Sequence, residues 1–113
     1  MGEDTIQRIL FDHRGFVLYG FTRDPAKRSA CYGACAAAWP PYLVPKPPRA
    51  GAGVRRALLG SIRRQDGRFQ VTYAGRPLYY YVGDRSPRQI LCQNVSEFGG
   101  LWLVARPNGT LVR

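Results

Sequence analysis

Few residues in these 113 can carry chemistry. Cys31, Cys35, Cys92 and the single histidine, His13, together make a Cys3His set of the kind that holds zinc. Yet there is no Cys-x-x-Cys pair, and His13 falls in a predicted hairpin loop. The spacing therefore argues against a metal centre, and no cofactor is expected. Cys31 and Cys35 stand four apart with Gly33 between them. One helical turn would bring their Cα atoms within about 6 Å, inside disulfide range. Cys92 has no assignable base and reads as a small buried hydrophobe. No Ser-His-acid set, phosphate-binding glycine loop or dinucleotide fingerprint is present, so no catalytic residue is assigned and the reading leans away from an enzyme.

Charge is the second chemical signal. The net charge is +10, and fifteen of the seventeen basic residues are arginine. Lys46, Arg49, Arg55, Arg56, Arg63, Arg64 and Arg68 lie within one short stretch that contains a single acid, Asp66. Such a patch attracts an anionic partner: nucleic acid, an acidic polymer or lipid head groups. Arginines interleaved with aromatics also suit a single strand stacked on a β face, so a nucleic-acid-binding β domain is the alternative reading. No RNA- or DNA-binding signature accompanies them.

The third signal is a repeat. Gly15–Asp24 aligns with Gly75–Asp84 without a gap, and both read Gly-x-x-Leu-Tyr-x-aromatic-x-x-Asp. Trp39 and Trp102 follow the two copies at different distances. In a strand, Tyr19 and Phe21 point one way and Leu18 the other; Tyr79, Tyr81 and Leu78 do the same. Both faces are apolar, as in strands covered on both sides. Asp24 then precedes Pro25, which suits a helix N-cap with Pro at the first helical position. On one reading the aromatics pack and each Asp ends its strand. On the other, Tyr19, Phe21, Asp24, Tyr79, Tyr81, Asp84, Trp39 and Trp102 surround a ligand.

The elements that would position these residues are mostly strands. Ile9–Phe11 and Phe16–Phe21 read as a hairpin around Asp12–Gly15. Ser29–Ala38 is small and Ala-rich and predicts a helical turn or two, ended by Trp39-Pro40-Pro41. Residues 40–53 form a Pro/Gly-rich loop, and Val54–Leu59 a further helical turn. Ser61–Arg64, Phe69–Tyr73 and Pro77–Val82 read as a meander, and Leu101–Ala105 with Thr110–Val112 as a last hairpin around Asn108-Gly109. The expectation is an all-β domain spanning 1–113. It would hold two pseudo-symmetric repeats of antiparallel hairpins, about 9–60 and 61–113, in a small sandwich or open barrel with one short helix.

The chain resembles the bacterial secreted-repeat lipoproteins defined by a Tyr-x-(Phe/Trp/Tyr)-x-x-Asp motif. The resemblance rests on Cys31-Tyr32-Gly33-Ala34-Cys35 leading into Trp39-Pro40-Pro41, on Arg64–Gly67, Gln70–Tyr73, Pro77–Tyr81 and Phe98–Trp102. Cys92 departs from it, standing where the family pattern has glycine. The resemblance implies an extracytoplasmic site behind a leader. Met1–Arg8 has no apolar signal core, so a chain complete as written would instead stay in the cytoplasm. An oxidising compartment favours the Cys31–Cys35 bridge. The expected function is a non-enzymatic binding or structural module of the cell envelope, with an unidentified and anionic partner.

Overall fold

Three turns of one kind organise the chain. At Asp12–Phe16, Arg64–Arg68 and Arg106–Thr110 the first residue's N–H donates to the carbonyl of the last. The glycine in between, Gly15, Gly67 or Gly109, donates back to the first carbonyl. Each of these glycines has φ between 87° and 92°, a conformation that costs a side-chain-bearing residue free energy. Two tighter turns use Ala74-Gly75 and Phe98-Gly99, with positive φ at both central residues of each pair.

Between these turns the computed structural model describes residues 2–4, 9–45, 54–87, 89–91 and 93–112, with the side chains of 2–4 outside the description. The strands are β1 (Gly2–Asp4), β2 (Ile9–Phe11), β3 (Tyr19–Phe21), β4 (Leu43–Val44), β5 (Leu59–Arg63), β6 (Phe69–Tyr73), β7 (Arg76–Pro77), β8 (Val95–Glu97) and β9 (Gly100–Val104). One helix, α1 (Ala34–Ala38), and a 3-10 turn at Arg56–Leu58 complete the described elements. The fold is all-β and antiparallel throughout. Its sheets are β1-β2, β3-β9-β8 and β4-β6-β5, with β7 also on β6, and they do not close into a barrel.

Several expectations change. Phe16–Phe21 pairs with β2 only at its start, through the Phe11–Val17 bridge, and β3 then lies against β9. Strand β8 was not expected at all; it forms a hairpin with β9. Asp24 caps no helix: residues 22–28 turn without one, and the carboxylate accepts the N–H of Ala30 instead. Most of the Pro/Gly loop, residues 46–53, lies outside the described residues.

The hydrogen bonds come in matched pairs that exchange the two motif copies. Tyr19 N–H donates to Tyr79 O at 2.8 Å, and Tyr79 N–H to Tyr19 O at 2.9 Å. Outward from that centre, Ala105 N–H to Leu18 O matches Tyr42 N–H to Leu78 O, and Leu10 N–H to Ala105 O matches Val71 N–H to Tyr42 O. Thr22 N–H to Leu101 O matches Val82 N–H to Ala38 O. The motif strands therefore run antiparallel across a pseudo-two-fold axis between the two tyrosines. They lie between two cores, as their two apolar faces require. One holds Tyr19, Phe21, Tyr79, Trp39 and Trp102. The other holds Leu18, Leu78, Leu10, Val71 and Leu103.

Candidate functional site

At the axis the two copies trade side chains. The Tyr19 hydroxyl donates to Asp84 Oδ2 at 2.6 Å, and the Tyr79 hydroxyl to Asp24 Oδ2 at 2.7 Å. Each aspartate thus serves the tyrosine of the other copy. Its second oxygen takes a loop N–H: Ala30 for Asp24 at 2.7 Å, Leu91 for Asp84 at 3.0 Å. Each Asp N–H also closes a turn on its own motif aromatic, Phe21 or Tyr81. The five-residue spacing from Tyr to Asp has a physical reason. It carries the chain off the strand and round one turn, so that the carboxylate returns beside the neighbouring copy.

The aromatic positions are equally shared. Phe21 stacks on Trp102 with centroids 4.1 Å apart, Trp102 on Trp39 at 4.2 Å, and Trp39 against Tyr81 at 4.8 Å. Tyr19 meets Trp39 edge-on at 5.3 Å, and Tyr79 meets Trp102 the same way at 5.0 Å. Offset-stacked and edge-to-face pairs suit the ring quadrupoles. Both indole N–H groups end on Glu97, Trp39 on its carboxylate and Trp102 on its carbonyl. Tyr19, Tyr79, Trp39 and Trp102 are all 0% exposed. Of the eight ligand candidates, Asp24 and Tyr81 alone are not buried. Asp24 rims a shallow depression with Pro25, Ala26, Ala74, Gly75 and Arg76.

A polar network stands beside the Tyr79–Asp24 pair. Ser29 Oγ lies 2.6 Å from the Tyr79 hydroxyl and accepts from Arg64 Nη1 at 3.0 Å. Arg64 also donates to Gln70 Oε1 at 2.7 Å and to the Cys31 carbonyl at 2.6 Å, and its guanidinium stacks over Tyr32. Gln70 in turn donates to Leu78 O. Burial raises the Asp24 carboxyl above its ordinary value, against the pull of Ala30 N–H, the Tyr79 hydroxyl and the Arg64 charge. Burial likewise raises Asp84. It also pushes the Tyr79 phenol far up, with the Asp24 charge adding to it, so Tyr79 stays a neutral donor. These groups hold protons in place.

Arg64 was expected in the basic patch; it is buried instead, because its guanidinium satisfies the Ser29–Cys31 segment. Arg55, Arg56, Arg63 and Arg68 are exposed, whereas Lys46 and Arg49 lie outside the described residues. Cys31 and Cys35 form a disulfide with Cα atoms 5.2 Å apart, so neither thiolate is left for zinc. His13 is exposed in its loop, Cys92 lies outside the described residues, and no group of three metal-ligating side chains comes together among the described residues.

Sequence reasoning missed Asp12, Ser29 and Gln70. Asp12 is fully buried and accepts from Arg14 N–H, Phe16 N–H, the Arg14 guanidinium and the Tyr80 hydroxyl. Burial alone would raise its carboxyl, but those donors together hold it below the ordinary value. The Asp-x-x-Gly spelling of its turn was the signal available.

Fold and site together define a class of architecture: an all-β module in which the Tyr and Asp of one motif copy bond the Asp and Tyr of the other. The family model described as a secreted repeat of unknown function matches residues 8–42 and 60–106, one motif copy in each segment. The chain belongs to that family of secreted repeats. No curated protein and no solved structure matches it. Among the described residues no helix is long and apolar enough to cross a membrane.

Proposed function

We propose that residues 1–113 form one non-enzymatic binding or structural module of the bacterial envelope, acting outside the cytoplasm on an anionic partner. Membership of a secreted family supports the location. The fate of the acids carries the rest. Asp12, Asp24 and Asp84 are spent on internal hydrogen bonds, and Asp66 lies beside Arg68. Arg55, Arg56, Arg63 and Arg68 face solvent, so the surface is more positive than composition alone implies. A ligand of the motif itself would meet Asp24 and Tyr81, its two members outside the buried set.

The nucleic-acid alternative draws on one observation: Phe69 is 43% exposed, with the Arg63 guanidinium 5.9 Å above its ring. Retention on dextran sulfate and retardation of a single-stranded oligonucleotide separate the two readings. We expect salt-sensitive retention on the polymer that is lost when Arg55, Arg56, Arg63 and Arg68 are all changed to Glu. Undiminished retention of that variant defeats the proposal. Oligonucleotide binding that survives physiological salt and disappears in Phe69→Ala would transfer the function to nucleic acid.

A further inference from the structure

Strand β5 forms an outer edge of the sheet β4-β6-β5. The hydrogen bonds around β6 show which of its backbone groups face outward. Arg64 N–H donates to Arg68 O at 2.7 Å, and Ala74 N–H to Leu58 O at 2.8 Å. On the other side of β6, Val71 donates to Tyr42 O and accepts from Leu78 N–H. Backbone groups alternate sides along a strand, so Gly60 and Ile62 turn toward β6, whereas Leu59, Ser61 and Arg63 turn away. Leu59 N–H closes the 3-10 turn on Arg56 O. Leu59 O and the N–H and C=O of Ser61 and Arg63 have no partner among the described residues. Natural sheets usually blunt such an edge by short length, proline or a covering segment. The opposite edge follows that rule, since β4 is two residues long and Pro45 comes directly after it. β5 runs five residues without proline. An open groove of about 470 Å³ lies beside it, lined by Lys27, Leu58, Gly60, Ile62 and Thr72 among others.

We propose that β5 is a docking edge for an extended acidic peptide segment of another protein, which joins the sheet as a further strand. Main-chain pairing to Ser61 and Arg63 supplies the affinity, and the groups flanking the edge select the peptide's side chains. Those flanks are basic. Arg55 and Arg56 precede β5, Arg63 ends it and Lys27 stands in the groove; all are exposed. No acidic side chain among the described residues lines that groove. The same charge weighs against a second copy of this chain as the occupant. An antiparallel β5–β5 pair centred on Ser61 would gather both sets of arginines at one seam, between molecules of net charge +10. The partner's charge rests on the anionic-partner reading; its extended form rests on the edge alone.

The test titrates the folded protein with a short peptide that alternates threonine and glutamate, followed by NMR. In the free protein the Ser61 and Arg63 amides should exchange fast, and those of Gly60 and Ile62 slowly. The peptide should shift the Ser61 and Arg63 signals saturably and slow their exchange about tenfold or more. The same peptide with its backbone nitrogens methylated keeps its charge but cannot pair, and should bind about tenfold or more weakly. Ser61→Pro removes an outward N–H and no bond to β6. It should lose the peptide to a similar extent and keep its retention on dextran sulfate. Equal binding of the methylated peptide would reduce the interaction to charge attraction and overturn the docking edge. Protection of the Ser61 and Arg63 amides in the free protein, or a concentration-dependent dimer abolished by Ser61→Pro, would give the edge another occupant and overturn it too. Peptide binding without any retention on dextran sulfate would defeat the broader polymer reading and uphold the edge.

Discussion

The two copies reach the same tryptophan position by different routes. In the first, the chain arrives at Trp39 through α1, a single helical turn pinned by the Cys31–Cys35 disulfide and held from outside by Arg64. In the second, it arrives at Trp102 along the β8–β9 hairpin, with no helix among the described residues. Yet each tryptophan stacks on the other, takes a motif tyrosine on its edge and lies against the other copy's second aromatic. The difference shows which positions the pseudo-two-fold axis constrains. Groups that touch across the axis must match; the path that delivers them need not.

The sharpest way to break this comparison is at the tryptophans themselves. Trp39→Ala and Trp102→Ala should each cost about 3–5 kcal/mol, the usual range for a buried large aromatic, and the two losses should agree closely. Urea unfolding measures both. A large inequality would mean that the shared stack is carried by one copy alone.

Next in size is the network of Ser29, Arg64 and Gln70 beside the Tyr79–Asp24 pair. Arg64→Met leaves Gln70 Oε1, Ser29 Oγ and the Cys31 carbonyl short of a donor, and should cost about 3 kcal/mol. If the loss is under about 1 kcal/mol, the buried guanidinium contributes little to the fold. The disulfide comes third. Its closed loop is short, and the chain-entropy estimate gives about 2 kcal/mol for Cys31→Ala with Cys35→Ala. Hydrogen exchange should then rise in 29–38 while the β8–β9 hairpin stays protected. Equal loosening of both routes would show that the copies are more tightly coupled than their separate approaches suggest.

The smallest effect is in pH dependence, and its sign differs between carboxylates. Asp12 is held below its ordinary value of 3.8, so it contributes stability above that value that is lost as pH falls through the lowered one. Asp24 and Asp84 are raised, so their contribution is fullest below 3.8 and declines as pH climbs through the raised values. Asp12→Asn should therefore flatten the acid limb of stability measured against pH. Asp24→Asn or Asp84→Asn should remove part of the decline just above pH 3.8. Were all three substitutions to act on the same limb, the assignment of opposite signs would fail.

Much of the architecture was legible because it is local. Asn108-Gly109, Asp66-Gly67 and the alternation in Phe69–Tyr73 specify turns and a strand from adjacent residues. The repeat was legible for the same reason, since its matched positions can be counted along the chain. What those positions bond to could not be read. Asp24 looked like a helix cap because Pro25 follows it, whereas the decisive partner, the Tyr79 hydroxyl, lies 55 residues away. Arg64 looked like a member of a basic patch because charge usually seeks water. It turns inward because Ser29 and Cys31, distant in sequence, and Gln70, six residues on, supply acceptors that replace hydration. Strand β8 escaped notice because Val95–Glu97 is short and mostly exposed, and its pairing is set by β9.

The amino-acid sequence alone thus determined the all-β class, the helical turn before Trp39, the repeat and its family, all from local propensity and spacing. The tertiary structure alone decided that each Tyr answers the other copy's Asp, and that Phe21, Trp102, Trp39 and Tyr81 pack in one row of rings. Those outcomes depend on which surfaces meet when the chain folds back on itself, and burial then sets the energetic value of every polar group caught between them.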